Sequence, residues 1–288
     1  MRVGVIEGRS VILDGDRAID VAEASSDRFG PGSTALLGQW DEFARWAENT
    51  DLEGLGAPFD PAALQNPVPA PPQVFAIGLN YAAHAAESKY EVPDFPPVFT
   101  KYRSSLANPR IDVEIPGPRT DWEVELVAVI GRHAHRVPES QGWDHVAALT
   151  IGQDISERDT QFLATPPQFS LGKSYPGFSP MGPMLVTPDE FVDRDDIELG
   201  CAINGEQMQK GRTSEMIFSV PQLVAKLSAI TPLLPGDVIF TGTPAGVGVG
   251  RTPPRFLRDG DVLRSYITGI GEMEQRFVAP VESGAVTS

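Results

Sequence analysis

Apolar runs at Arg2 to Glu7 and Ser10 to Leu13, with Asp14-Gly15-Asp16 after the second, read as short strands joined by a turn. From about Thr34 to Glu48 the spacing changes: Leu36, Leu37, Trp40, Phe43, Ala44 and Ala47 recur at helical intervals. A tract holding Pro58, Pro61, Pro67, Pro69, Pro71 and Pro72 can carry neither a helix nor a central strand. The pattern therefore predicts a small N-terminal module over residues 1–70 and a main domain over 71–288.

The main domain is patterned for β-structure. Val74–Gly78, Val124–Gly131, Ala147–Asp154, Met184–Thr187, Ile197–Ile203, Val238–Thr241 and Val262–Ile267 are short apolar runs set apart by Gly and Pro. Convincing helical stretches are confined to Tyr81–Ser88 and Val220–Ala229. Strands and helices do not alternate regularly, which disfavours a Rossmann-type sheet, and no repeat period is present. The expected class is β-rich α+β.

Bulk properties narrow the function. The chain has 288 residues, 41% hydrophobic and 22% charged, as expected of an ordinary globular protein. A net charge of −16 would repel both nucleic acid and anionic membrane, so neither is an expected partner. A small anionic substrate stays possible, because a few local cations or a bound metal reverse the sign nearby. One cysteine, Cys201, excludes a disulfide framework and a cysteine-based zinc site, and its apolar setting reads as a buried hydrophobe. With no signal-peptide core and no apolar run long enough to span a bilayer, the expected location is the cytoplasm.

Three segments carry candidate chemistry. In Asp121-Trp122-Glu123-Val124-Glu125, strand alternation points Glu123 and Glu125 to one face at the mouth of an apolar run. Paired carboxylates there repel and resist desolvation unless a cation lies between them; taken alone, the pair reads first as a solvated strand end. A second apolar run ends in Asp154, adding a third oxygen ligand suited to Mg²⁺ or Mn²⁺. Arg158, one turn on, could clamp a substrate carboxylate in bidentate fashion, or could simply neutralise Asp154 or Asp159. In the third segment Asn80 is a good N-cap, after which His84 and Glu87 share a helix face, as a general base and its orienting carboxylate do.

Two glycine-rich stretches point elsewhere than their motifs suggest. Leu171-Gly172-Lys173-Ser174 ends like a phosphate-binding loop, but Pro167 occupies the required first glycine position. Gly242, Gly246, Gly248 and Gly250 lack dinucleotide-binding spacing and a following helix. That stretch reads as a tight loop after a strand, offering N–H groups and Thr hydroxyls to a small oxyanion, or serving turn geometry alone.

The stretches GLNYAAHAAE, TDWEVELVAVIG, IGQDISERDTQ, LGKSYPGFSPMGP, INGEQMQKGRTSEMIFSV and LLPGDVIFTGTPAGVG, in this order from about Val74 to Phe277, together resemble the fumarylacetoacetate hydrolase family. The N-terminal module carries none of these motifs. The resemblance implies a mixed β-sandwich or roll with a small N-terminal α+β module, and a homodimer. It implies Mg²⁺ or Mn²⁺ held by Glu123, Glu125 and Asp154, and water activated by His84 and Glu87 from a lid. Lys173 would stabilise developing charge, while Arg158, Gln161 and Thr243 would hold substrate. The implied reaction is hydrolysis of a C–C bond in a small 2,4-dioxo acid of the acylpyruvate type, through a metal-bound pyruvate enolate. The same chemistry would serve oxaloacetate decarboxylation, hydroxymuconate-type keto–enol isomerisation or sugar-acid dehydration. Two other readings of the residues are a glycosidase using Glu123 and Glu125 without metal, and a non-catalytic β-rich binding module.

Overall fold

The computed structural model describes residues 1–88 and 91–280. Two large sheets dominate the described residues. The larger runs in the order Ala57–Pro58, Arg17–Asp20, Arg9–Asp14, Arg2–Ile6, Ser179–Val186, Val146–Gln153, Val124–Ile130, Val238–Phe240, Val74–Ile77, Val98–Thr100, with Leu106–Ala107 pairing on Ser179–Val186. The smaller runs Glu206–Arg212, Glu198–Ile203, Val262–Ile267, Gly271–Val278, Arg110–Glu114. Both mix parallel and antiparallel pairs.

The central strand Val124–Ile130 is buried along its whole length. Val124, Leu126, Ala128 and Ile130 join a core shared with the smaller sheet (Leu199, Cys201, Leu263, Phe277) and with the helix Val220–Ser228. Val127 and Val129 join the opposite core, with Phe29, Leu36, Leu37, Trp40 and Phe43 from the first fifty residues. Period-two alternation thus makes one strand the filling of a sandwich, which is why it reads as a near-continuous apolar run.

The N-terminal strands extend the main sheet, because Arg2–Ile6 pairs antiparallel with Ser179–Val186. The single helix expected over 34–48 is two, Ser33–Leu37 and Trp40–Glu48. They meet at Gly38 and Gln39, where glycine's conformational freedom weakens helix propagation. The strands Glu206–Arg212, Gly271–Val278 and Arg110–Glu114 escape the apolar pattern because polar residues interrupt it, even on the inward face, where Gln209 and Gln275 are buried. Cys201 is a buried strand residue, its thiol pushed up by burial and so held in the unreactive form.

Candidate functional site

Residues at one end of the main sheet build the site. Val124–Ile130 and Val146–Gln153 are antiparallel with Val124 opposite Gln153, so the residues just outside the pairing, Glu123 and Asp154, fall side by side. The Asp154 amide donates to the Glu123 carbonyl at 2.9 Å. Glu125 shares the face of Glu123 through alternation. One oxygen each from Glu123, Glu125 and Asp154 lie within 4.8 Å of one another, and all three residues are buried.

Cations surround this cluster. Lys173 Nζ donates to Glu123 at 2.7 Å and to Asp154 at 2.6 Å. Lys101, fully buried, donates to Asp154 and to the Lys173 carbonyl. Arg158 pairs with Glu123 at 2.8 Å and, through Nε and Nη2, with Asp121 at 2.9 and 2.7 Å. The fork of Arg158 is therefore spent on Asp121, rather than on Asp154 or Asp159; Asp159 pairs instead with Arg119.

Burial alone would push the Glu123 carboxyl up, but Lys173 and Arg158 outweigh it and hold it down at about 2. Glu125 is the opposite case. Burial, then Asp154 and Glu123, push it well above the usual carboxylate range. Burial would lower Lys173, yet Asp154 and Glu123 keep it raised; Lys101 is lowered, with burial exceeding the pull of Asp154. Among the described residues Glu125 makes no ion pair, and its bond is a 2.8 Å contact from the Gly242 amide.

The donor chemistry fits a hard divalent cation: three converging carboxylates, all oxygen, with one of them lacking a positive partner. Four buried acids (Asp121, Glu123, Glu125, Asp154) face three buried bases (Lys101, Arg158, Lys173). Additional positive charge at Glu125 would remove that imbalance.

His84 and Glu87 lie on the short helix Ala82–Glu87, with His84 Nδ1 2.8 Å from Glu87 Oε1. They share a cavity of about 250 Å³ with Glu123, Glu125, Arg158, Gln161, Lys173 and Thr243. Phe99, Phe162 and Phe169 give it an aromatic side, with Phe99 and Phe169 edge to face at 5.7 Å. Every residue singled out for chemistry in the sequence lines this cavity except Asp154, which lies just behind it. A larger recess of about 890 Å³, lined by Trp40, Ala44, Leu52 and Met184 among others, contains none of them.

Three expectations need correction. Asn80 does not cap the helix; Tyr81 precedes it with no side-chain cap. Asn80 instead donates to the Phe218 and Thr241 carbonyls at 2.9 and 2.7 Å and accepts from the Phe218 amide, tying three segments beneath the site. The glycine-loop amides are already occupied by the protein's own carboxyl groups: Gly242 serves Glu125, Gly246 serves Glu87 at 3.0 Å, and Gly248 and Val249 serve Asp121. Such close approach requires glycine at Gly246, where φ is 110° and a Cβ would meet the Met208 carbonyl at 2.3 Å. The Thr243 hydroxyl donates to the Val124 carbonyl and accepts from Gln209, so its proton is engaged within the protein.

Sequence reasoning missed Asp121 and Lys101. Asp121 stands two before Glu123, and the same alternation that paired Glu123 with Glu125 could have extended to it. Lys101 follows a three-residue strand without a local signal.

The family model described as fumarylacetoacetate (FAA) hydrolase C-terminal matches residues 73–278. The chain belongs to the fumarylacetoacetate hydrolase family. Human mitochondrial oxaloacetate tautomerase FAHD2A is 40% identical over 214 residues, 74% of this chain and 68% of that protein. A crystal structure provisionally named HpcE, from Mycobacterium smegmatis, is 51% identical with a TM-score of 0.93, covering 98% of this chain and all of that one. Maleylpyruvate hydrolase from Sphingobium sp. SYK-6, in complex with manganese(II) and pyruvate, is 28% identical with a TM-score of 0.80, covering 98% and 100%. The fold is thus the family's, with large mixed sheets and few helices. Family relatives carry out hydrolysis and tautomerisation. No helix among the described residues is long and apolar enough to cross a membrane. The human relative is mitochondrial by name, so family membership does not carry the expected cytoplasmic location with it.

Proposed function

We propose that this protein hydrolyses a C–C bond in a small 2,4-dioxo acid of the acylpyruvate type, with residues 71–288 as the catalytic domain. The observation that carries the reading is one cavity joining a buried carboxylate cluster to a His–Glu pair. Glu123, Glu125 and Asp154 would hold Mg²⁺ or Mn²⁺, whose charge favours the enolate form of a 2-oxo acid. Arg158 and Gln161 face the cavity and seat a substrate carboxylate. Glu87, fixed by the Gly246 amide, orients the His84 ring through Nδ1, leaving Nε2 to accept a proton from water. That water then attacks the carbonyl distal to the carboxylate, the bond from that carbonyl carbon to the neighbouring methylene breaks, and the proton taken up by His84 goes to the departing methylene carbon. Lys173, with protons directed at Glu123 and Asp154, is the nearby cation for the charge left on the departing three-carbon fragment. Thr243 lines the wall.

A second reading, keto–enol tautomerisation of oxaloacetate, is favoured by the 40% identity to the human tautomerase. It uses the same base to move a carbon-bound proton and needs no attacking water. Absorbance assays on acylpyruvates and on enol-oxaloacetate, with Mn²⁺ or with EDTA, separate the two. Metal-dependent loss of an acylpyruvate with stoichiometric pyruvate is expected, reduced about 100-fold or more in His84→Asn. Turnover of oxaloacetate alone, without cleavage products, would replace hydrolysis by tautomerisation. Equal rates in EDTA would sink both.

A further inference from the structure

Asp121 lies outside the carboxylate cluster, yet it is the most heavily used acceptor in its neighbourhood. Its Oδ1 accepts the Trp122 amide at 2.8 Å and the Gly248 amide at 2.7 Å. Its Oδ2 accepts the Val249 amide at 2.9 Å and both Nε and Nη2 of Arg158. Five donors converge on one fully buried carboxylate.

The consequence for Arg158 follows from counting its hydrogens. A guanidinium offers five N–H donors in a rigid fork. Nε and Nη2 each donate to Asp121, Nη2 also lies 2.8 Å from Glu123 Oε1 as an ion pair, and one Nη1 hydrogen goes to Gln161 Oε1 at 3.0 Å. One Nη1 hydrogen is left, beside the Gln161 amide, and both residues line the cavity. The same carboxylate fixes Val249, whose neighbour Gly250 lies against Glu87 and lines the cavity too. Arg158 is thereby held as a single-hydrogen donor at one orientation, and the glycine loop is locked to it.

We propose that Asp121 is a positioning residue for substrate: by consuming the fork of Arg158 and clamping Gly248 and Val249, it sets the Arg158–Gln161 edge that receives a carboxylate. The inference rests on the functional reading above. An amide cannot replace Asp121, because its NH₂ would face an N–H donor whichever way it turned.

Pyruvate binding to the Mn²⁺-loaded protein, measured by titration calorimetry, tests this without turnover. Asp121→Asn should weaken pyruvate at least 10-fold while Mn²⁺ affinity stays within about threefold of wild type. Arg158→Lys, which keeps the charge but loses the fork and does not depend on Asp121→Asn folding, should weaken pyruvate similarly. The double variant should lose no more than about threefold beyond Arg158→Lys alone, the mark of two residues acting as one unit. Multiplicative losses would overturn the inference, as would wild-type pyruvate affinity in Asp121→Asn, or loss of Mn²⁺ together with pyruvate. Wild-type protein that takes up Mn²⁺ but no pyruvate would overturn the functional reading itself, together with the carboxylate seat.

Discussion

Two interiors of this protein are built on opposite principles. In the first fifty residues Phe43 packs its ring against Phe29, Trp40 and Trp46, and Phe29 against Trp46, at 5.5 to 6.1 Å between ring centres, and Phe43 is fully buried. At the far end of the main sheet Lys101, Asp121, Glu123, Glu125, Asp154, Arg158 and Lys173 are buried together. Apolar burial is favourable in almost any arrangement, so the aromatic cluster tolerates tilted and edge-on contacts alike. Charge burial is costly unless every group is paired, so the polar interior admits essentially one arrangement. The first interior stabilises the fold. The second gathers like charges at a cost in stability and holds its carboxylates in fixed register.

The largest expected effect pulls stability and function in opposite directions. Glu125→Gln keeps an acceptor for the Gly242 amide but removes a carboxylate crowded by Asp154 and Glu123. Metal-dependent activity should fall on the order of 1,000-fold. The metal-free protein should melt at a higher temperature than wild type. A lower melting temperature would show that Glu125 is not strained, and the contrast between the two interiors would fail there.

Phe43→Ala should do the reverse. It leaves a cavity in the aromatic cluster and should cost about 3–5 kcal/mol in denaturant unfolding. Mn²⁺ affinity and turnover of the folded fraction should be unchanged; a shift in either would mean that the aromatic cluster shapes the site. Asp41→Asn breaks an exposed bidentate pair with Arg132, 2.9 Å at both contacts, that links the helix Trp40–Glu48 to the end of the strand Val124–Ile130. Exposed pairs contribute little, so a loss of about 0.5 kcal/mol or less is expected, and a larger one would make this junction part of the stabilising interior.

The three converging acids, proposed above to hold the metal, were legible because each rests on short-range information. Glu123 and Glu125 follow from alternation within five residues, and Asp154 from its place at the end of an apolar run. The His84–Glu87 contact is likewise a three-residue spacing on a helix. Asp121 was not legible in its role, since its partners stand 37 and 127 positions away. Asn80 was misassigned for a related reason. It carries a good capping side chain, but Phe218 and Thr241, more than 130 residues on, compete successfully for it.

Sequence alone determined the strand periodicity, the helix beginning near Ala82, the buried role of Cys201 and the family, because each is carried by local spacing or by motifs in order. Only the tertiary structure decided which carboxylate each cation neutralises, that Arg158 gives its fork to Asp121, and that the glycine loop grips the protein's own acids. Those choices depend on which groups are desolvated together, and in a low-dielectric interior the pairing energy is set by proximity in space.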